Sequence, residues 1–117
     1  MDIPTDFWVA ALLKRIELGG GFGYVTRRGD PKAGTVLIKT LHLREGRHRL
    51  LRLVNTGEGE RWISPLRSEA PEQMDAYIEK EKRFDPDLWL VEIEDVEGRH
   101  FLTEPVEAPE GGSVQDS

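Results

Sequence analysis

The residues with the chemistry to hold an anion gather at two places. His42, Arg44, Arg47 and Arg49 surround Glu45-Gly46, a dipeptide that reads as the tight turn of a β-hairpin. Arg27 and Arg28 precede a second turn, Gly29-Asp30-Pro31, and Arg99 follows Gly98. With Glu45-Gly46 as a two-residue loop, Arg44 faces Arg47, His42 faces Arg49, Thr40 faces Leu51 and Ile38 faces Leu53. Like charges directly opposite one another are mildly destabilising, so the hairpin needs a compensating partner. Nucleic-acid phosphate, an acidic protein surface, the acidic half of the same chain or plain solvent would serve. Carboxylates gather later, at Asp85, Asp87, Glu94 and Asp95 with Glu92 between them. Hard oxygens suit magnesium or calcium, but this spacing matches no cation-binding loop. The hairpin puts His42 and His48 on opposite faces, where they cannot share an ion. No metal and no cofactor are expected.

Nucleophilic and acid–base chemistry find little support. None of the serines sits in a Gly-x-Ser-x-Gly elbow. His100 and Asp95 fall on neighbouring expected strands, where a structural hydrogen bond is the simpler reading than an acid–base pair. Gly19-x-Gly21-x-Gly23 follows a helix and precedes a strand, the reverse of the order a phosphate loop needs. No catalytic residue is assigned, and the balance leans away from an enzyme.

The elements that position these residues are legible from periodicity. Trp8, Val9, Leu12, Leu13 and Ile16 share one face of a helix that opens with Thr5 as cap and ends at Gly19-Gly20-Gly21. Strands are expected over 22–28, 35–43, 47–54 and 61–66, the last at an edge because of Pro65. A second helix starts near Ser68 or Pro71 and runs to about Arg83. Its inward stripe is Met74, Tyr77, Ile78 and Phe84, and Glu81 falls inside that stripe. A carboxylate there needs a cation or the rim of the sheet, unless a slight rotation of the helix leaves it solvated, and Arg27 or Arg28 is the expected partner of Glu81 in a structural ion pair. Asp87–Asp95 is a strand, and Arg99–Thr103 is expected to pair back to it. The hairpin strands are apolar on both faces, so either helices cover both sides or one side meets another subunit.

With 117 residues, one core is the expectation: a single α+β domain over 1–103 and a disordered acidic tail over 104–117. No apolar run is long enough to span a membrane. There is no cysteine, which excludes disulfides and thiolate chemistry. The acidic N-terminus is unlike a secretory signal, so the cytoplasm is the expected compartment. The net charge of −6 conceals a segregation. Residues 14–67 carry 12 Lys or Arg against 5 acids, and residues 68–103 carry 4 against 11. Either the two halves neutralise each other or the basic half faces an anionic partner. In an acidic chain, nucleic acid is not the expected partner.

Two blocks carry a family resemblance. They are Arg27-Arg28-Gly29-Asp30 with Ala33-Gly34 and Val36-Leu37-Ile38-Lys39, and Arg83-Phe84-Asp85-Pro86-Asp87-Leu88-Trp89 with Glu92, Glu94-Asp95 and Gly98-Arg99. Together with Trp8-Val9-x-Ala11-Leu12-Leu13 and Tyr77-Ile78 they resemble a bacterial family known as domain of unknown function 1491. The resemblance implies a small α+β domain and no catalytic residues. The expected fold is a mainly antiparallel sheet of five to six strands packed by two helices, in the order α-β-β-β-β-α-β-β. The expected function is a small non-catalytic binding or adaptor protein. It is expected to self-associate as a homodimer through Leu37, Leu41, Leu43, Leu50 and Val54, and to meet a protein partner at its charged turns or its basic hairpin. The alternative is an enzyme for a small anionic or phosphorylated substrate, with Arg27, Arg28 and Arg99 as clamps and Asp85, Glu94 or Asp95 as acid–base or metal groups.

Overall fold

A computed structural model describes residues 3–108 of the chain. Helix α1 spans Thr5–Leu18 and buries Trp8, Val9, Leu12 and Ile16, with Leu13 packed beside them. Thr5 is not the cap. It is the first helical residue, and its hydroxyl donates to the Gly34 carbonyl at 3.1 Å. The N–H groups of Thr5 and Asp6 reach the carbonyls of Lys32 and Pro31, so a distant turn satisfies donors that a capping side chain would otherwise take.

The strands are β1 (Phe22–Arg27), β2 (Val36–His42), β3 (Arg47–Thr56), β4 (Gly59–Ile63) and β5 (Trp89–Asp95), with helix α2 (Pro71–Phe84) between the last two. Their order in the sheet is β1-β5-β2-β3-β4. The fold is α+β with two helices, but the sheet is mixed, because β5 runs parallel to β2 at its centre while pairing antiparallel with β1. No sixth strand follows. Both edges of β5 are occupied, so Arg99–Thr103 has nothing to pair with and leaves the sheet through Gly98 at φ 75° and Phe101 at φ 61°.

The central hairpin is also shifted. Its connection is four residues, Leu43 to Gly46, and its register is His42 opposite Arg47, Thr40 opposite Arg49 and Ile38 opposite Leu51. The cause is β5: the N–H groups of Leu43 and Arg44 bond the carbonyls of Asp95 and Val96, drawing them away from β3. A shift of two residues keeps every side chain on its expected face.

Helices cover both faces of the sheet. Under α1 lie Val36, Ile38, Leu51, Trp62, Trp89, Val91 and Ile93. Under α2, Met74 and Ile78 pack on Leu37, Leu50, Leu88 and Leu90. Phe84, expected inside, is 75% exposed at the end of α2.

The segment after Thr103 is not free where it is described. Trp8 and Trp62 stack with centroids 5.6 Å apart, and both indole N–H groups donate to the Glu104 carboxylate, at 3.1 and 3.0 Å. Val106 bridges Trp62 as a parallel partner, and the Ser64 N–H donates to the Glu107 carboxylate at 2.8 Å. Residues 104–107, expected in the tail, lie beside β4, with Val106 packed against the core. Residues 109–117 of the expected tail lie outside the described residues. Truncation after Thr103 strands two buried indole donors and uncovers Trp62. It is expected to cost roughly 2 kcal/mol or more and to lower Tm by about 10 °C or more. Thermal melts by circular dichroism check this, with Glu104→Ala expected to give a smaller drop in the same direction.

Candidate functional site

The two turns that carry the family resemblance form one joint. The Trp89 indole N–H donates to the Asp30 carbonyl at 2.7 Å, and the Asp30 N–H donates to the Asp87 carbonyl at 3.0 Å. A side chain on Gly29 or Gly34 would collide with the Asp87 carbonyl, so glycine is required by close approach at both positions. Arg27 donates to the carbonyls of Leu88 at 3.1 Å and Pro86 at 3.3 Å. Arg28 lies over the Trp89 ring, 4.8 Å from its centroid. Asp85 accepts from the Asp87 N–H at 3.0 Å, closing its own turn, while the Asp87 side chain is exposed. These residues tie β1 to the start of β5.

The basic hairpin is dispersed among acids. Arg44 pairs with Glu97 at 2.6 Å and Arg47 with Glu69 at 3.0 Å. Lys39 meets Asp75 of α2 at 3.3 Å. Arg49 runs beneath the segment that follows β5, donating to the Glu107 carbonyl and, at 3.5 Å, to Ser64 Oγ. Burial lowers its pKa, against the pull of Glu107 and Glu69. Glu81 is paired, but with Arg52 and not with Arg27 or Arg28. Arg52 also donates to the Tyr77 hydroxyl at 2.8 Å, so the cation sits under α2 on the same sheet face as Leu50. Arg27 is out of the contest because the carbonyls of the 86–88 turn hold it.

Asp95 is buried and accepts four hydrogen bonds: from the N–H groups of Glu97 and Arg99, from Arg99 Nε at 3.0 Å and from Arg99 Nη2 at 2.7 Å. The Arg99 side chain is the main cause that holds its pKa down at about 2, assisted by the two backbone donors and opposed by burial. Arg99 also donates to the Gly19 carbonyl at 2.9 Å and lies 4.9 Å from the Phe101 ring centroid. The expected contact between His100 and Asp95 is not made. His100 Nδ1 accepts from the Leu102 N–H at 2.9 Å, and burial, with Arg49 nearby, lowers its pKa. Among the described residues, no group of three His, Asp or Glu is placed to hold a metal.

What remains open is the other end of the α2-side face. Helix α2 covers Leu37, Leu50 and Leu90, but Phe22, Tyr24, Leu41, His48, Glu92 and Glu94 share that face beyond its reach. Phe22 and Tyr24 are 55% and 46% exposed. Glu94 stands opposite Phe22, and Glu92 opposite Tyr24. A shallow cavity of about 110 Å³ lies between Lys39, Leu41, His48, Glu92 and Glu94. Of these residues, the sequence points to Glu94 and, more weakly, Glu92 as acidic candidates, to Leu41 as part of an apolar self-association face, and to His48 only as a histidine that cannot share an ion with His42. Alternation at Phe22-Gly23-Tyr24 and at Glu92-Ile93-Glu94 was the available signal, and it acquires meaning once β1 and β5 are known to be neighbours.

A two-helix, mixed five-stranded α+β fold with internally paired charges is the class defined by these features. Residues 3–103 match the model of a protein family of unknown function, DUF1491, and the chain belongs to that family. It is similar to a DUF1491 family protein from Caulobacter crescentus, seen in a crystal structure with 54% identity and a TM-score of 0.86, covering 90% of this chain and 99% of that one. The NMR structure of a DUF1491 family protein from Caulobacter crescentus gives 53% identity and a TM-score of 0.85, over 92% and 99%. A protein from A. tumefaciens, solved in solution, is 30% identical with a TM-score of 0.76, over 92% and 98%. No curated protein matches.

Two outcomes follow from the charges. Glu81→Ala leaves Arg52 half-buried without its anion and is expected to cost about 2 kcal/mol. A double-mutant cycle should show coupling of about 1 kcal/mol between Glu81 and Arg52 and none between Glu81 and Arg27. The Asp95 pKa lies below its ordinary value near 4, so the folded state binds fewer protons than the unfolded state over that interval. Its stabilisation is complete above about pH 5 and is lost as pH falls through 4 toward 2. Thermal melts between pH 2 and 7 should show this component in the native chain and its absence in Asp95→Asn.

Proposed function

We propose that the chain is a small non-catalytic binding protein that meets a protein partner at the uncovered end of its α2-side sheet face. The observation that carries this reading is the pair of exposed aromatic rings at alternate positions of β1, set beside two carboxylates that have no ion-pair partner among the described residues. Four cations of the basic half are already paired: Lys39, Arg44, Arg47 and Arg52 each bond an acid of the acidic half. An anionic partner at the hairpin would have to displace those contacts. The cavity on the open face is small beside the roughly 300–1,000 Å³ of small-molecule sites, which favours a surface contact over a substrate pocket. Self-association through the five hairpin residues is disfavoured, because α2 already covers Leu37 and Leu50. A cytoplasmic setting fits a cysteine-free chain.

Affinity capture from a bacterial lysate tests the location. A partner retained by the native chain should be lost by the double variant Phe22→Ser/Tyr24→Ser and kept by Arg44→Ala/Arg47→Ala, with circular dichroism confirming that both fold. The opposite pattern would move the interface to the hairpin.

A further inference from the structure

The chain treats the two edges of its sheet differently. Along β4 run residues 105–107: the Trp62 N–H donates to the Pro105 carbonyl and the Glu107 N–H to the Trp62 carbonyl, both at 2.8 Å. β1 has no such cover. Among the described residues it pairs with β5 alone, and no backbone hydrogen bond joins residues 22–27 to any other segment. Edge strands are normally blunted by charge, by proline or by a bulge. Phe22-Gly23-Tyr24-Val25 has neither charge nor proline, and the irregularity in its pairing comes only between Val25 and Arg27. Val25 is itself 38% exposed.

The neighbouring strand supplies the charge. Glu94 and Glu92 lie opposite Phe22 and Tyr24 on the same face. Lys39 stands beside Glu92 in the register of β2, but its ammonium turns to Asp75 of α2. The open edge is therefore a row of two rings backed by two carboxylates.

We propose that β1 accepts an extended basic segment of a partner protein as an added strand. Alternate Lys or Arg side chains of that segment lie over Phe22 and Tyr24 and reach Glu94 and Glu92. Main-chain hydrogen bonds to the free edge of β1 provide affinity, and alternate side chains provide selectivity. A strand added to β1 lies about 10 Å from β5, a span that a long basic side chain crosses over the intervening ring, gaining cation–π attraction. A second copy of this chain fits less well. Its β1 would bring Phe22, Tyr24 and Thr26 to this face and no cation, since its Arg27 and Arg28 are held by the 86–88 turn and by Trp89. This inference rests on the reading that the open face is the partner surface.

Titration of the ¹⁵N-labelled chain with short synthetic peptides tests it. The peptides alternate Lys with Val, Glu with Val, or Thr with Val. The Lys–Val peptide is expected to shift the amide signals of residues 22–27 and 92–94. Its affinity should fall roughly ten-fold in Glu92→Gln/Glu94→Gln, whose unbound spectrum stays native. Equal binding of the Thr–Val or Glu–Val peptide at the same amides overturns the basic selectivity while leaving the open face as a protein-binding surface. Shifts confined to residues 44–49, or none at millimolar peptide, overturn both. A doubled mass without peptide, with residues 22–27 protected from hydrogen exchange, gives the edge to a second copy and overturns the basic partner.

Discussion

Strand β5 is hydrogen-bonded along both sides, antiparallel to β1 and parallel to β2, and the rest of the molecule is arranged around that double pairing. A parallel neighbour cannot be reached by a tight turn; it needs a crossover, and α2 occupies the path between β4 and β5. The crossover places α2 on the face that holds Leu37, Leu50 and Leu90, leaving the opposite face to α1. The centre of the sheet is buried on both sides, which explains why Val36-Leu37-Ile38 and Trp89-Leu90-Val91 are unbroken apolar runs. With β5 saturated, the chain beyond Gly98 has no strand to join. It runs instead to the Trp8–Trp62 stack, where Glu104 receives both indoles. Burial raises the Glu104 pKa, but the hydrogen bonds from Trp62 and Trp8, a backbone donor and the charge of Arg15 together leave it lowered.

What could be read from the sequence was what is local. The stripe of α1, the limits of α2, the hairpin β2–β3 and the edge position of β4 follow from periodicity, glycines and prolines within a few residues of each element. The position of β5 does not, because its partners lie about 50 to 70 residues away in the chain. From that one non-local fact come two of the errors. A sixth strand was expected because a hairpin is the nearest partner for β5. A two-residue turn was expected because nothing nearby shows that β5 claims Leu43 and Arg44. The need of Glu81 for a cation was legible on the helix itself, yet the choice of Arg52 depends on which strand α2 crosses. Glu104 and Glu107 read as tail because composition cannot show that the stacked tryptophans lie within their reach.

The charge segregation along the chain is resolved in space. The basic hairpin meets acids from α2, from the segment before it and from the turn after β5, so a net imbalance in sequence becomes a set of contacts between halves. The exposed members of that set are individually weak, and Arg52–Glu81, more sheltered beneath α2, is the one with most to lose. The residues of the family resemblance are spent the same way. Arg27, Arg28, Asp30 and Trp89 fasten one turn to another and Asp85 closes its own turn, which accounts for their density without assigning them chemistry.

Synthesis from the N-terminus delivers β5 after every strand it joins. Until it emerges from the ribosome, β1 has no neighbour, and the hairpins formed by β2, β3 and β4 present the bare side of β2, with Val36, Leu37 and Ile38 along it. That edge is apolar and β-prone, the kind of surface that pairs with the wrong chain in a crowded cell. The nascent protein thus passes through its stickiest form just before it is able to fold, and a chaperone that shields β2 during that interval would protect it more than one acting on the finished molecule.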